Sequence, residues 1–523
     1  MRKVLIALLL AGILPAADAR TSMANARTSM ADARTPLLDI TSFGAKGDGL
    51  TMNTVFIQRA IDSAAGSGGG VVLVPAGRFL TGVIGLRSGV ELRLAEGAVL
   101  LGSTLRSDYG GERASALLIA NGQHGIAVTG KGVIDGQGRE VVKDVFRRLK
   151  EGSLQDPEWQ HENPWHQKRP VEWNRPGLIE FSHCGGVTVS GVTIKDAACW
   201  VQTYTECDSL TIKGIHVEST AYWNNDGIDV VDCREVRISD CVVNAGDDGI
   251  CLKSSNPASR CENVVIERCK VRSSASGIKF GTASHGGFRH IIVRDITVYD
   301  TYRSAIALES VDGGIIEDVQ VEGVTATNTG NALFIRLGHR KAKAPVGAVR
   351  GVTVRNLSVV VPAGKPDKGY EMEGPDLDYA HNPFPASIVG LPGHPVEDVT
   401  LENIEIVYKG TEDKAVGRYG LDSLDQVPEN EAAYPEFSMF GELPAWGLYV
   451  RHASRISLRH CTFRHQAAGF RPAIVADDVQ GLGIEDLKIP TGDATPAIVL
   501  KKVGSLEWKG KGITEGHSLL RLP

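Results

Sequence analysis

One eight-residue pattern, apolar at its first, third, sixth and eighth positions, recurs along this chain and leaves few folds open to it. It reads VTVSGVTI from Val187, LTIKGIHV from Leu210, VRISDCVV from Val236, VVIERCKV from Val264 and IIVRDITV from Ile291, with weaker copies from Val352, Val399, Ile456 and Leu482. The first five copies start 23, 26, 28 and 27 residues apart. Each copy is two short alternating strands joined by a two-residue bend, and it cannot bury its apolar face alone. Stacking copy on copy does bury it, and right-handed parallel stacking sets like positions about 4.8 Å apart. The expected fold is all-β: a single-stranded right-handed parallel β-helix from about residue 36 to 505. An alternating α/β sheet would need amphipathic helices of about 10 or more residues between strands. The connections here are mostly Gly, Asp, Asn and Ser.

Composition agrees with short strands and tight turns, since 60 of the 523 residues are Gly and only 6% are aromatic. Cys184, Cys207, Cys233 and Cys261 each fall three residues before a pattern start, and Cys241 and Cys269 share its sixth position. That spacing favours a ladder of inward thiols over disulfides, at a position that Val and Phe fill in other coils. One helix is expected in TMNTVFIQRAIDSAAG, capped by Thr51 or Asn53, with Val55, Phe56, Ile61 and Ala65 as its apolar surface and Gly66 as its stop. It would cover the open N-terminal end of the β-helix. Inserts interrupt the coils at about 138–175, 361–395 and 408–446. The first holds Trp159, Trp165 and Trp173, fitting either a cleft wall or an outer lid; the third has eight acidic residues against three basic, which argues against its facing an anionic polymer.

Residues 1–19 read as a cleaved export leader, with Arg2 and Lys3 ahead of the 11-residue apolar run VLIALLLAGIL and a small-residue site at Ala17 to Ala19. That run is too short for a membrane span, which needs about 20 residues. The tandem ARTSMAN and ARTSMAD places a linker at 20–35, and a single β-helix domain is expected over 36–523. A net charge of −6 without a basic cluster excludes the electrostatic footprint of a nucleic-acid binder.

The chemistry concentrates in two short stretches, NNDGIDV and NAGDDGICLK. Aligned by the strand pattern, Asp226 of the first falls over Asp248 of the second, and Asp247 is adjacent. Three carboxylates in one patch repel, which raises at least one pKa and supplies an acid beside bases. That arrangement suits glycosidic hydrolysis; calcium binding and ordinary turn chemistry are the competing readings.

With DITSFGAKGDGLTMNTVFIQRAIDSA and GGGVVLVPAGRFLTG near the start, GKGVIDGQG at Gly130 to Gly138, and GDD at Gly246 to Asp248, the chain resembles family 28 glycoside hydrolases, the polygalacturonase and rhamnogalacturonase group. Its NND stands where that family usually has Asn-Thr-Asp. The resemblance covers nearly all of the chain that follows the expected leader and implies the same β-helix. It also implies an inverting mechanism, with Asp247 as general acid and Asp226 and Asp248 holding and deprotonating the attacking water. Inverting pairs usually stand about 6.5–9.5 Å apart. Asn224 would bind substrate or orient Asp226, and no metal or cofactor is implied.

Two family motifs are replaced: Gly-His-Gly by ASG at Ala275 to Gly277, and Arg-Ile-Lys by ALE at Ala307 to Glu309. The lost cations normally receive a galacturonate carboxylate. Plain endo-polygalacturonase activity is therefore not expected, and exo-acting or rhamnogalacturonan-type specificity is, with Glu309 repelling a uronate. Lys253, Lys279, Arg303 and Arg336 are the candidate replacement cations. His285 is a further candidate for the missing histidine, though the favoured reading is a histidine of a surface turn. The expected partner is a pectic polysaccharide or oligosaccharide, bound by an exported monomer. A β-helix polysaccharide lyase and a noncatalytic carbohydrate-binding β-helix are the alternatives.

Overall fold

The computed structural model of the chain describes residues 36–466, 469–490, 496–510 and 518–522. The leader and linker expected at 1–35 lie outside the described residues. No helix among the described residues is long and apolar enough to cross a membrane.

The repeat dictates the architecture directly. The first position of the pattern forms one continuous rung of parallel pairs, running Val187, Leu210, Val236, Val264, Ile291 and Val319. It continues through Val352, Val399, Ile456, Leu482 and Leu506. Each of these neighbours is one coil further along a right-handed parallel β-helix whose strands run from Leu37–Asp39 to Leu519–Leu522. The Val319 coil escapes a search by pattern because its eighth position is Ala326, a small residue in the apolar ladder. Alternation along each strand sends Val187 and Val189 into the core and leaves Thr188 between them partly exposed.

The cysteine ladder lies inside. Cys184, Cys207, Cys233 and Cys261 are all buried, and all nine cysteines of the chain are free thiols. The ladder passes from Cys261 to Phe288, Ile316 and Val349, so sulfur and hydrocarbon occupy the same inward position. Thiols satisfy themselves on the coil below: Cys233 Sγ donates to Tyr204 O at 3.3 Å and Cys261 Sγ to Val230 O at 3.4 Å. Burial pushes the Cys261 thiol up to about 12, which makes it a poor nucleophile.

The expected helix is Thr54–Gly66, but its buried face is Ile57, Ala60, Ile61 and Ala64, while Val55 is exposed. The observed face follows an i, i+3, i+4, i+7 spacing, so phase rather than hydrophobicity alone decides which residues meet the core. Asn53 occupies the N-cap without a side-chain cap bond. Its amide instead donates to Lys46 O, Thr51 O and Leu80 O, tying the helix start to the first coils.

A second helix, Gly138–Lys150, opens the first insert and was not anticipated. It buries Val141, Val142, Val145 and Leu149 at helical spacing. The second insert is shorter than expected, because the strand Ala386–Val389 within it belongs to the coil stack. The second and third inserts cover the outer face of the C-terminal coils. There Phe334, Tyr449, Val475 and Val499 bury against Phe384, Phe437, Phe440 and Leu443. Because no sulfur is bridged, the thermal midpoint is expected to be the same with and without reductant. Alkylation of the unfolded, unreduced chain should add nine labels by mass; fewer labels would mean that some ladder thiols are oxidised.

Candidate active site

The pattern alignment of the two acidic stretches is realised as backbone hydrogen bonds. Gly227 N donates to Asp248 O at 2.9 Å, and Gly249 N to Ser276 O at 2.8 Å, so Asp226, Asp248 and Ser276 occupy equivalent places in successive coils. Glycine after each aspartate is required by this close stacking. A Cβ on Gly227 would lie 2.6 Å from Gly249 O, and one on Gly249 would lie 2.7 Å from Gly277 O. Asn224 holds a left-handed φ of 60°, which Asn tolerates, and its Oδ1 accepts from Arg175 Nη2 at 2.7 Å.

Asp226, Asp247 and Asp248 converge, each offering an oxygen within 4.8 Å of the other two. This is closer than the 6.5–9.5 Å expected for an inverting pair, because coil stacking sets Asp226 and Asp248 one strand spacing apart and Asp247 is their chain neighbour. The three differ in their partners. Asp226 Oδ2 accepts from Lys253 Nζ at 2.8 Å, and Asp248 Oδ2 from Lys279 Nζ at 3.0 Å. Asp248 Oδ1 also accepts from the Ser276 amide at 3.1 Å. Asp247 makes no ion pair with a lysine among the described residues; its Oδ1 accepts the Asp248 amide at 3.0 Å.

These partners separate the protonation states. Burial pushes Asp247 up, reinforced by the charges of Asp226 and Asp248, to about 7. Burial also acts to raise Asp248, but Lys279, Lys253 and Arg303 outweigh it and hold that carboxyl below its usual value. One carboxyl thus carries a proton at mildly acidic pH next to one that does not, the division of labour that acid–base chemistry needs.

Both lysines are used twice. Lys253 bridges Asp226 to the fully buried Asp229 and stands 5.0 Å from the ring centre of Trp200. Lys279 also meets the Tyr434 hydroxyl at 3.2 Å and Glu309 at 3.9 Å. Arg303 lies beside the same cavity, 5.7 Å from the Tyr434 ring. Arg336 is not brought to the site. It is fully buried under Phe440 and donates to Gly390 O at 3.1 Å and Glu429 O at 2.6 Å, which pins the third insert to the coils. His285 sits in the turn after the strand Ile278–Ser284, outside the cavity.

The expected repulsion by Glu309 also fails. Glu309 is 2% exposed behind Lys279, and burial pushes its carboxyl up to about 7 despite that lysine. Ala307 is buried as well, under the apolar cover of the C-terminal coils.

All three inserts reach the cavity beside Asp247, which has a volume of about 170 Å³. The first contributes Trp165 and Arg169, the second Gly374 and Pro375, and the third Tyr434. Trp165 meets Tyr434 edge-on at 5.1 Å, closing one wall, whereas Trp159 packs outside against Phe146. The acidic third insert therefore does face the site, through an uncharged ring. Arg169, Tyr434 and Asp229 are the residues sequence reasoning missed. The first two sit in inserts with no repeat to align them. Asp229 is legible as an outward strand position on the rung of Thr203, Cys251 and Lys279.

The family model for glycosyl hydrolases family 28 matches residues 69–361. A probable polygalacturonase of Vitis vinifera is 26% identical over 388 residues, covering 70% of this chain and 69% of its own. An exo-poly-alpha-D-galacturonosidase of Dickeya chrysanthemi is 28% identical over 249 residues, 41% of each chain. The solved exopolygalacturonase of Thermotoga maritima, 22% identical, covers 82% of this chain and 93% of its own with a TM-score of 0.58, which shows the shared fold.

The raised Asp247 carboxyl has a consequence for stability. An unfolded Asp titrates near 3.9, so between about 4 and 7 the native state binds the extra proton and stability falls as pH rises. Asp247→Asn should therefore have a higher melting midpoint than wild type at pH 8, with the gain shrinking towards pH 4. An equal difference at both pH values would refute the raised carboxyl.

Proposed function

We infer, for a chain that belongs to glycosyl hydrolase family 28, that Asp247, Asp226 and Asp248 form the centre of an inverting hydrolase acting from one end of a pectic polysaccharide. The observation carrying this reading is the split within one carboxylate trio: one member raised to about 7, its neighbours each tied to a buried ammonium. Asp247 donates its proton to the glycosidic oxygen as the C–O bond breaks. A water held between Asp226 and Asp248 gives up a proton to one of them as its oxygen bonds to the anomeric carbon. The close spacing is nearer to what retaining enzymes show. Two carboxylates at equivalent places in successive coils, each already bound to a lysine, nevertheless suit gripping a water better than attacking carbon.

A divalent ion is disfavoured at this trio because Lys253 and Lys279 already supply its positive charge. Action from one end is supported by the shape of the surface. A trough of about 1060 Å³ meets one of about 550 Å³ at Trp173, and that one meets the 170 Å³ cavity at Glu172. Beyond it the outer face of the coils is sealed by the second apolar cluster. The names of the exo-acting relatives point the same way. Export through residues 1–19, and action as a single β-helix domain, belong to the same proposal and are supported by sequence alone.

Product analysis tests the reading. Pectic oligosaccharides should release mono- or disaccharides of inverted anomeric configuration, and polygalacturonate viscosity should fall slowly for each reducing end formed. Random cleavage would overturn exo action, retention would overturn the water nucleophile, and an ultraviolet-absorbing unsaturated product would favour a lyase. Asp→Asn at 226, 247 or 248 should cut turnover by about 10²- to 10⁴-fold with folding intact. Chelator should leave activity unchanged; loss restored by calcium would overturn the metal-free reading. The rate should decline as pH rises through about 7, as Asp247 loses its proton.

A further inference from the structure

We propose that the trough of about 1060 Å³ beside the first insert is a second carbohydrate site, in which neutral pyranose units of a pectic chain stack on Trp173. The site uses none of the three carboxylates, and it rests on the reading of a pectic hydrolase only for the class of polymer. Trp173 is 42% exposed, and among the described residues no other Trp, Tyr or Phe is exposed. An indole left in water forgoes the free energy that burying its large apolar face would release. Its backbone is nevertheless held in place. Trp173 O accepts from the Ala114 amide at 2.8 Å, and the next residue, Asn174, is fully buried. Asn174 Nδ2 donates to Gln155 O at 2.9 Å and to Asp156 Oδ2 at 2.8 Å, while its carbonyl accepts from Arg106 Nε at 2.9 Å. The segments that wall the trough are thus tied together at one point. A face fixed in this way loses little freedom when a ligand arrives.

Trp173 belongs to two troughs at once. Arg113, whose guanidinium stands 5.4 Å from the ring centre, lines the smaller trough and not the larger. In the larger trough the indole shares the lining with Leu154 and Pro157, and with the polar groups of Ser107, Ser153 and Gln155. A pyranose ring presents an apolar C–H face and a rim of hydroxyls. An aromatic face with a few hydroxyl and amide groups around it matches both.

Charge makes this trough a site for neutral sugars. Arg106 is committed to Asn174 O, Gly110 O and Gly111 O, and Arg148 Nε donates to Asp144 Oδ2 at 2.9 Å. Asp156 already accepts from the Glu158, Trp159 and Val171 amides and from Asn174. Glu112 is the charged group of the trough that forms no ion pair with the described residues, and it is an anion. A uronate would meet that like charge without an uncommitted cation to offset it, whereas a neutral ring meets no such penalty. The larger trough joins the smaller at Trp173, and the smaller joins the cavity beside Asp247 at Glu172. A polymer whose end occupies the cavity therefore reaches the trough along continuous surface, and the two contacts reinforce each other through effective concentration.

Calorimetric titration with a linear galactotetraose as the probe tests this independently of hydrolysis. Wild type and Asp247→Asn should bind the probe equally well, since the trough lies apart from the carboxylates. Trp173→Ala should weaken binding by at least about tenfold, and Trp173→Phe should recover part of the loss. Both variants should melt with wild type, because the ring they replace is exposed. Saturating galactotetraose should leave the initial rate of digalacturonate hydrolysis by wild type unchanged, because probe and substrate occupy different places. Failure of wild type to bind the probe, undiminished binding by Trp173→Ala, or competition between probe and digalacturonate would each overturn the proposal. Trp173-dependent binding in a protein that hydrolyses no pectic oligosaccharide would sustain the second site and refute the hydrolase reading. Hydrolysis without such binding would do the reverse.

Discussion

Coil-to-coil hydrogen bonding in fixed parallel register is the constraint from which the rest follows. Once Gly227 N bonds Asp248 O, the aspartate before that glycine can stand nowhere but one strand spacing from its counterpart. Like charges brought so close must be neutralised or protonated. The outward positions of the same strands supply the neutralising groups, Lys253 and Lys279, each reaching back to a carboxylate of the preceding coil. The carboxyl that neither lysine reaches keeps a proton instead. Acid–base asymmetry is therefore produced by a regular lattice with one irregular member, Asp247.

The core and the outer wall obey different rules. Inside, shape and phase decide: Cys, Phe, Ile and Val interchange on one ladder because each fills an inward position of a stacked strand. Outside, the inserts are held by buried charge on backbone. Arg336 grips Glu429 O, and Arg471 donates to Leu443 O and Pro383 O, joining the second and third inserts to the coils. Breaking such a contact leaves an unpaired charge, which costs more than the contact's net worth. The walls are accordingly well fixed although they lack repeating strands.

Legibility in the sequence divides along the same line. The repeat spacing, the inward thiols and the alignment of Asp226 with Asp248 were all readable, because each depends on neighbours at a constant offset. The helix Thr54–Gly66 was readable in position but not in phase, since Val55 is as apolar as the buried Ile57 and only the helical turn separates them. Arg336 was misread because an outward arginine looks the same in sequence whether it faces a groove or is covered by an insert. Glu309 was misread for the same reason, its surroundings being set by Lys279 on the coil before it. Arg169 and Tyr434 carry no signal at all, because their places depend on how segments far apart in the chain close over the coils.

The register also governs how such a protein tolerates change. Each coil takes its position from hydrogen bonds to the coil beneath it, so extra residues at a turn are absorbed locally and do not displace the strands that follow. The copies flanking the Val319 coil start 28 residues before and 33 after it, yet the rung runs through all three unbroken. The walls around the cavity can therefore be lengthened, exchanged or deleted while the three carboxylates stay where they are. Wall and carboxylate trio are separable parts of one scaffold.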